Sequence, residues 1–198
     1  MATNNTLPDK ENIFNVPNLL SFYRLLTFPV ILYFVASGNE KLFSIFLCIN
    51  LVTDILDGLV ARTFKLQTRF GARLDSLADI GTYILAVSGI FRFKWHDISP
   101  SAMLLWVFLA TYIFSLLVSL ARFGKYPSLH LYSCKTGGYV QGIFFFVLFF
   151  SGFYHWLFVL AIVWGICSYL EETIVLLLLP AMRSDCKGLY WVLKGRNA

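Results

Sequence analysis

Six runs of about twenty predominantly apolar residues fill most of this 198-residue chain, at 18–37, 42–61, 73–91, 101–121, 138–153 and 156–179. A run of that length and character is what a helix needs to cross the hydrocarbon core of a bilayer. In lipid every backbone N–H and C=O must find its partner within the protein, so such runs are expected to be helices. Hydrophobic residues make up 58% of the chain and charged ones 14%, against about 25% charged in an ordinary soluble domain. The expected fold class is therefore all-α: a polytopic membrane protein built as a six-transmembrane-helix bundle. One membrane domain is expected over 1–198, with a short segment at 1–16 and a tail at 181–198. The N-terminal stretch has no basic region leading into an apolar core and cleavage site, so no signal peptide is expected.

Pro17 suits a first helical turn, Pro180 a stop, and Pro29 a bend inside the first span. With six spans, both termini share a side with the loops near 62–72 and 122–137. That side carries 13 of the 16 Lys and Arg residues, leaving Lys41, Arg92 and Lys94 opposite. Loop charge of this kind orients membrane proteins with the basic side inward. Both termini are thus expected in the cytoplasm, for a multi-pass protein of a cell inner membrane. The same cations would suit anionic lipid or a phosphate-rich substrate. No nucleic-acid partner is expected. The four cysteines, Cys48, Cys134, Cys167 and Cys186, are too scattered for a zinc or redox site.

Against this apolar background, the stretch DILDGLVARTFKLQTRFGARLDSLAD, residues 54–79, concentrates four aspartates. Asp54 and Asp57 are three apart at the end of the second span; Asp75 and Asp79 are four apart at the start of the third. Each pair therefore shares a helix face. The polar segment 62–70 between them can reverse the chain outside the bilayer, so a helical hairpin would gather all four carboxylates at one mouth. Uncompensated, each would cost about 2.5–3.5 kcal/mol in the membrane. Hard cations such as Mg²⁺ or Mn²⁺ remove that cost, taking carboxylate oxygens while leaving positions open for substrate phosphate. Two such ions about 3.5–4 Å apart clamp a phosphoryl group during displacement. Gly58 and Gly71, one turn from Asp54 and Asp75, would let a bulky substrate approach the backbone.

These residues resemble the signature of the CDP-alcohol phosphatidyltransferase family, D-x2-D-G-x2-A-R-x8-G-x3-D-x3-D, with all eight fixed positions in place. The resemblance implies phosphatidyl transfer from CDP-diacylglycerol to an alcohol, with release of CMP, in a cavity facing the cytoplasm. It implies that Asp54, Asp57, Asp75 and Asp79 hold two Mg²⁺ or Mn²⁺ ions, and that Asp79 is also the general base. Gly58, Ala61, Arg62 and Gly71 would line the pocket for the cytidine diphosphate part. A homodimer is plausible by the same analogy.

The opening NVPNLLSFYR, residues 15–24, resembles the N-x-P-N-x-x-[TS]-x-x-R start common in the phosphatidylglycerophosphate synthase branch. A later K-T…Q segment is similar too, with four residues rather than two between Thr136 and Gln141. Glycerol 3-phosphate is accordingly the expected acceptor, with inositol 1-phosphate or inositol as alternatives. Arg73, Arg122 and Lys135 are candidates for binding the acceptor's own phosphate. A divalent-cation transporter is the rival from another class, but would be expected to line a path across the membrane with polar groups. Finally, Arg24 lies inside the first span at a depth similar to that of Glu171 and Glu172 in the last. An ion pair between them is expected, as intramembrane charges rarely stay unpaired.

Overall fold

A computed structural model of the chain describes residues 15–66, 68–125, 129, 131–181 and 186–195, with backbone only at Arg69. Lys10, His130, Arg183 and Arg196 lie outside the described residues. Among those described the secondary structure is entirely helical. Six long helices occupy the six apolar runs: α1 (Val16–Ser37), α2 (Glu40–Thr63), α3 (Arg69–Gly89), α5 (Ala102–Phe123), α6 (Tyr132–Phe150) and α7 (His155–Leu178). Two short ones, α4 (Trp95–Ile98) and α8 (Leu189–Leu193), complete the set.

Between α3 and α5 the chain stays helical, through a π-helical turn at Ile90–Lys94, α4 and a 3₁₀ turn at Ser99–Ser101. The whole run Phe70–Phe123 has 54 residues. At 1.5 Å per residue that is about 80 Å, far beyond one hydrocarbon thickness of about 30 Å. That length is enough for the third and fourth expected spans together. The six expected spans fall, to within a few residues at their ends, on the five continuous apolar segments.

The chain divides into two compact units, Met1–Trp95 and His96–Ala198. In the first unit, α1 packs on both α2 and α3, and α2 packs on α3. The α1–α2 turn takes only two residues: Gly38 adopts the left-handed conformation (φ 74°) that a β-carbon would strain. Asn39 then caps α2, its side chain accepting from the Leu42 N–H at 3.1 Å. At this end Lys94 pairs with Glu40 at 2.7 Å. At the other end, Lys65 in the left-handed region (φ 54°) turns the chain from α2 towards α3. Thr68 caps α3 by accepting from the Gly71 N–H at 2.9 Å. Outward faces carry exposed Leu26, Ile49 and Ile84, the composition a lipid-facing surface requires.

In the second unit, α7 packs against α5 and α6. Gly165 makes that closeness possible, since a β-carbon there would collide with the Phe108 ring and meet Gln141 Nε2 at 2.7 Å. α6 starts at Tyr132, six residues before the apolar run at 138. Lys135 and Gly137 fall in the expected loop, just before that run. In fact Gly137 lies in the helix against Trp164 and Ser168, where a side chain would be crowded, and Thr136 Oγ1 donates back to the Tyr132 carbonyl at 2.9 Å. α7 ends as the spacing predicts, with Leu179 extended immediately before Pro180.

Candidate active site

The polar residues of α1 fix the site. Asn15 caps the helix, accepting from the Asn18 N–H at 2.9 Å, and its own amide donates to the Leu66 carbonyl of the α2–α3 turn at 3.2 Å. Asn18, Ser21 and Arg24 follow at intervals of three, and all are buried, at 6%, 3% and 2% exposure. They form a polar stripe within an apolar span, and each reaches towards the aspartate hairpin. Asn18 Nδ2 donates to Thr68 Oγ1 at 3.4 Å. Ser21 Oγ donates to Asp57 Oδ2 at 3.1 Å.

Arg24 is the hub. Its Nη1 donates to Asp54 Oδ1 and, at 2.9 Å, to Asp79 Oδ1. Its Nη2 donates to Asp57 Oδ2 at 2.8 Å and to Asp75 Oδ1 at 2.5 Å. The hairpin thus gathers the four aspartates around one guanidinium, as their spacing predicts. Asp54, Asp57 and Asp75 each present a carboxylate oxygen within 4.8 Å of the others', a separation suited to shared cation ligation. Asp57 is the innermost, its side chain 5% exposed, while those of Asp54, Asp75 and Asp79 are 41%, 42% and 47% exposed.

The expected pairing of Arg24 with Glu171 or Glu172 is not formed. Arg24 is committed to the aspartates, and each glutamate has its own partner. Glu172 accepts from Ser115 Oγ at 2.7 Å, and Glu171 accepts from the Leu189 N–H at 2.8 Å, capping α8.

The other anticipated residues are placed as follows. Arg62 is exposed, and its Nε donates to the Gly58 carbonyl at 2.9 Å. Ala61 is half-buried in the same last turn of α2. Gly71 is buried, and the room it leaves is taken by Asn18: a β-carbon at 71 would collide with Asn18 Oδ1 and lie 2.8 Å from Thr68 Oγ1. Arg73 is exposed two residues before Asp75, a spacing that turns it away from the Asp75–Asp79 face. Arg122 and Lys135 belong to the second unit. Arg122 donates to the Leu179 carbonyl at 3.2 Å, and Lys135 is exposed in the first turn of α6.

The sequence reading placed Asn18, Ser21 and Arg24 in the N-x-P-N-x-x-[TS]-x-x-R opening but gave Asn18 and Ser21 no role in the site and did not link Arg24 to the aspartates. The available signal was the three-residue spacing of polar groups inside an apolar span. Replacing Ser21 by Ala removes a buried hydrogen bond to an ionised group, worth about 1.5–3 kcal/mol. The expected result is a lower melting temperature in detergent, with Ser21→Thr melting close to wild type.

Fold and site together define a polytopic membrane protein with a carboxylate centre between its first three helices. The family follows from comparison. The model of the CDP-alcohol phosphatidyltransferase family matches residues 14–170, and the chain belongs to that family. It is 44% identical over 72 residues to a cardiolipin synthase (CMP-forming)/mitochondrial hydrolase fusion protein of Schizosaccharomyces pombe, covering 36% of this chain and 12% of that one. It is 42% identical over 81 residues to a CDP-diacylglycerol–glycerol-3-phosphate 3-phosphatidyltransferase of Aquifex aeolicus, covering 40% of this chain and 46% of that one. The protein of the same description in Escherichia coli K12 is 29% identical over 97 residues, covering 46% and 53%. The chain thus matches about half the length of these two transferases. No solved structure matches it.

Proposed function

We propose that the chain transfers the phosphatidyl group of CDP-diacylglycerol to the hydroxyl of glycerol 3-phosphate, releasing CMP. The observation that carries this reading is the meeting of the four signature aspartates, from α2 and α3, at one centre. Bound there, Mg²⁺ or Mn²⁺ would neutralise the charge of the diphosphate, the main requirement of phosphoryl transfer. Asp54, Asp57 and Asp75 would hold the ions, with Asp79 completing the set. The clustered oxygens support this, and hard cations choose such donors.

The chain's own groups then do the rest. The Asp79 side chain is about as exposed as those of Asp54 and Asp75, and Asp79 is proposed to take the proton from the acceptor hydroxyl. The freed oxygen forms a bond to the phosphorus next to the diacylglycerol, and the bond from that phosphorus to the CMP oxygen breaks. Gly58, Ala61 and Arg62, on the last turns of α2, would meet the cytidine diphosphate. Gly71 would act beside them through the close approach of α1 to α3. Arg73, Arg122 and Lys135 are proposed, without rank among them, as the cations for the acceptor's phosphate. The basic loops support a centre and termini on the cytoplasmic side of a cell inner membrane.

The names of the Aquifex and Escherichia relatives favour glycerol 3-phosphate. The identity to the S. pombe fusion protein favours a second reading, a CMP-forming cardiolipin synthase. Purified protein given CDP-diacylglycerol and Mg²⁺, with glycerol 3-phosphate, inositol 1-phosphate, inositol and phosphatidylglycerol supplied separately, decides between them. CMP release only with glycerol 3-phosphate is the expected result. Release only with phosphatidylglycerol would establish the second reading, and release with none would overturn both.

A further inference from the structure

We infer that Arg24 is a resident cation of the aspartate centre: it holds the four carboxylates in register in the metal-free protein and competes with divalent ions for them. The inference rests on the metal-centre reading above and extends it to a residue outside the eight-position signature.

The geometry is specific. A guanidinium carries five N–H donors, two on each terminal nitrogen and one on Nε. Nη1 serves Asp54 and Asp79, and Nη2 serves Asp57 and Asp75, so each terminal hydrogen has one carboxylate. Lysine, with three donors on a single nitrogen, cannot reproduce this. Nε is also buried and has no partner, so the side chain makes all its polar contacts through the aspartates. The Arg24 side chain is only 1% exposed. A buried charge of this kind is strongly destabilising when its partners are removed, and the partners likewise when the charge is removed.

Charge balance gives the direction. One guanidinium cannot compensate four carboxylates gathered around it, which preserves an attraction for divalent cations. Without Arg24 all four carboxylates would repel each other within one small space. The metal-free protein would then be less stable, and a divalent ion would meet one more uncompensated negative charge and no rival for the oxygens. Metal binding to the folded state would stabilise it by mass action, so the melting temperature reports occupancy.

The test is thermal melting of the full-length protein in detergent, first in EDTA and then across a Mg²⁺ titration, with no lipid substrate or acceptor present. Arg24→Gln is expected to melt lower than wild type in EDTA. It is also expected to reach its Mg²⁺-induced rise at a concentration at least about tenfold lower, one unit of charge at close range being worth that much or more. A purely structural role for Arg24 would lower the melting temperature without moving the Mg²⁺ midpoint. An unchanged or higher midpoint in Arg24→Gln overturns the inference while leaving the metal centre intact. A Mg²⁺ effect absent from both proteins overturns the metal reading, and this inference with it. Should Arg24→Gln yield no folded protein, adding Asp79→Asn removes one of the four repelling charges and is expected to recover it. Failure of the double variant to do so would equally overturn the charge-balance account.

Discussion

Asp79→Asn is expected to lower CMP release by at least about a thousandfold while leaving the protein folded. General base catalysis alone contributes 10²–10⁴-fold in typical enzymes, and the carboxylate is also proposed to complete the cation site. The fold survives because asparagine keeps an oxygen where Asp79 Oδ1 accepts from Arg24 Nη1 at 2.9 Å. The substitution also removes one of four crowded negative charges, so melting in EDTA should not fall. Loss of activity with retained melting identifies a chemical role. A comparable loss of both would reduce Asp79 to a structural residue, and near-normal CMP release would remove it from the proposed mechanism.

Gly71→Ala is expected to be the most damaging small substitution in the first unit. The signature glycine sits at the third position of α3, where the Asn18 side chain of α1 fills the space that a β-carbon would need. Asn18 is 6% exposed and tied to Thr68, so it has little freedom to retreat. Overpacking of this kind costs about 1–3 kcal/mol, and it would push α1, with Ser21 and Arg24, away from the aspartates. Both melting temperature and CMP release should fall. Asn18→Ala in the same chain removes the colliding amide and should recover part of the melting temperature. If Gly71→Ala melts like wild type, or if Asn18→Ala gives no recovery, then the glycine acts only at the substrate surface.

The six helices were legible because lipid leaves the chain little choice: about twenty apolar residues with satisfied backbone must be a helix. Their ends were less so. α6 begins earlier than its apolar run because Lys135 and two glycines are tolerated in its first turns, with Gly137 used for packing on Trp164. The joining of α3 to α5 by π and 3₁₀ turns has no clear periodic signal, since aromatic and basic residues at 91–96 read equally well as a loop.

The aspartate hairpin was legible from spacing alone, since three- and four-residue intervals fix a face in any helix. What spacing could not give was the third helix of the site. Depth arithmetic placed Arg24 level with Glu171 and Glu172, but it carries no information on which helices touch. The packing of α1 on α2 and α3 chose the aspartates instead. The same missing information hid Asn18 and Ser21, whose partners lie 50 and 36 residues along the chain.

The most direct measurement is EPR of Mn²⁺ titrated into purified protein without lipid substrate or acceptor. The wild type should suppress the signal of the first additions, with binding saturating near two ions per chain, as a phosphoryl-clamping pair requires. Asp57→Asn and Asp75→Asn should each let the free-ion signal appear from the start of the titration. A wild-type protein that leaves Mn²⁺ free throughout, or variants that bind it as well as wild type does, would contradict the assignment of the aspartate cluster as a divalent-cation centre.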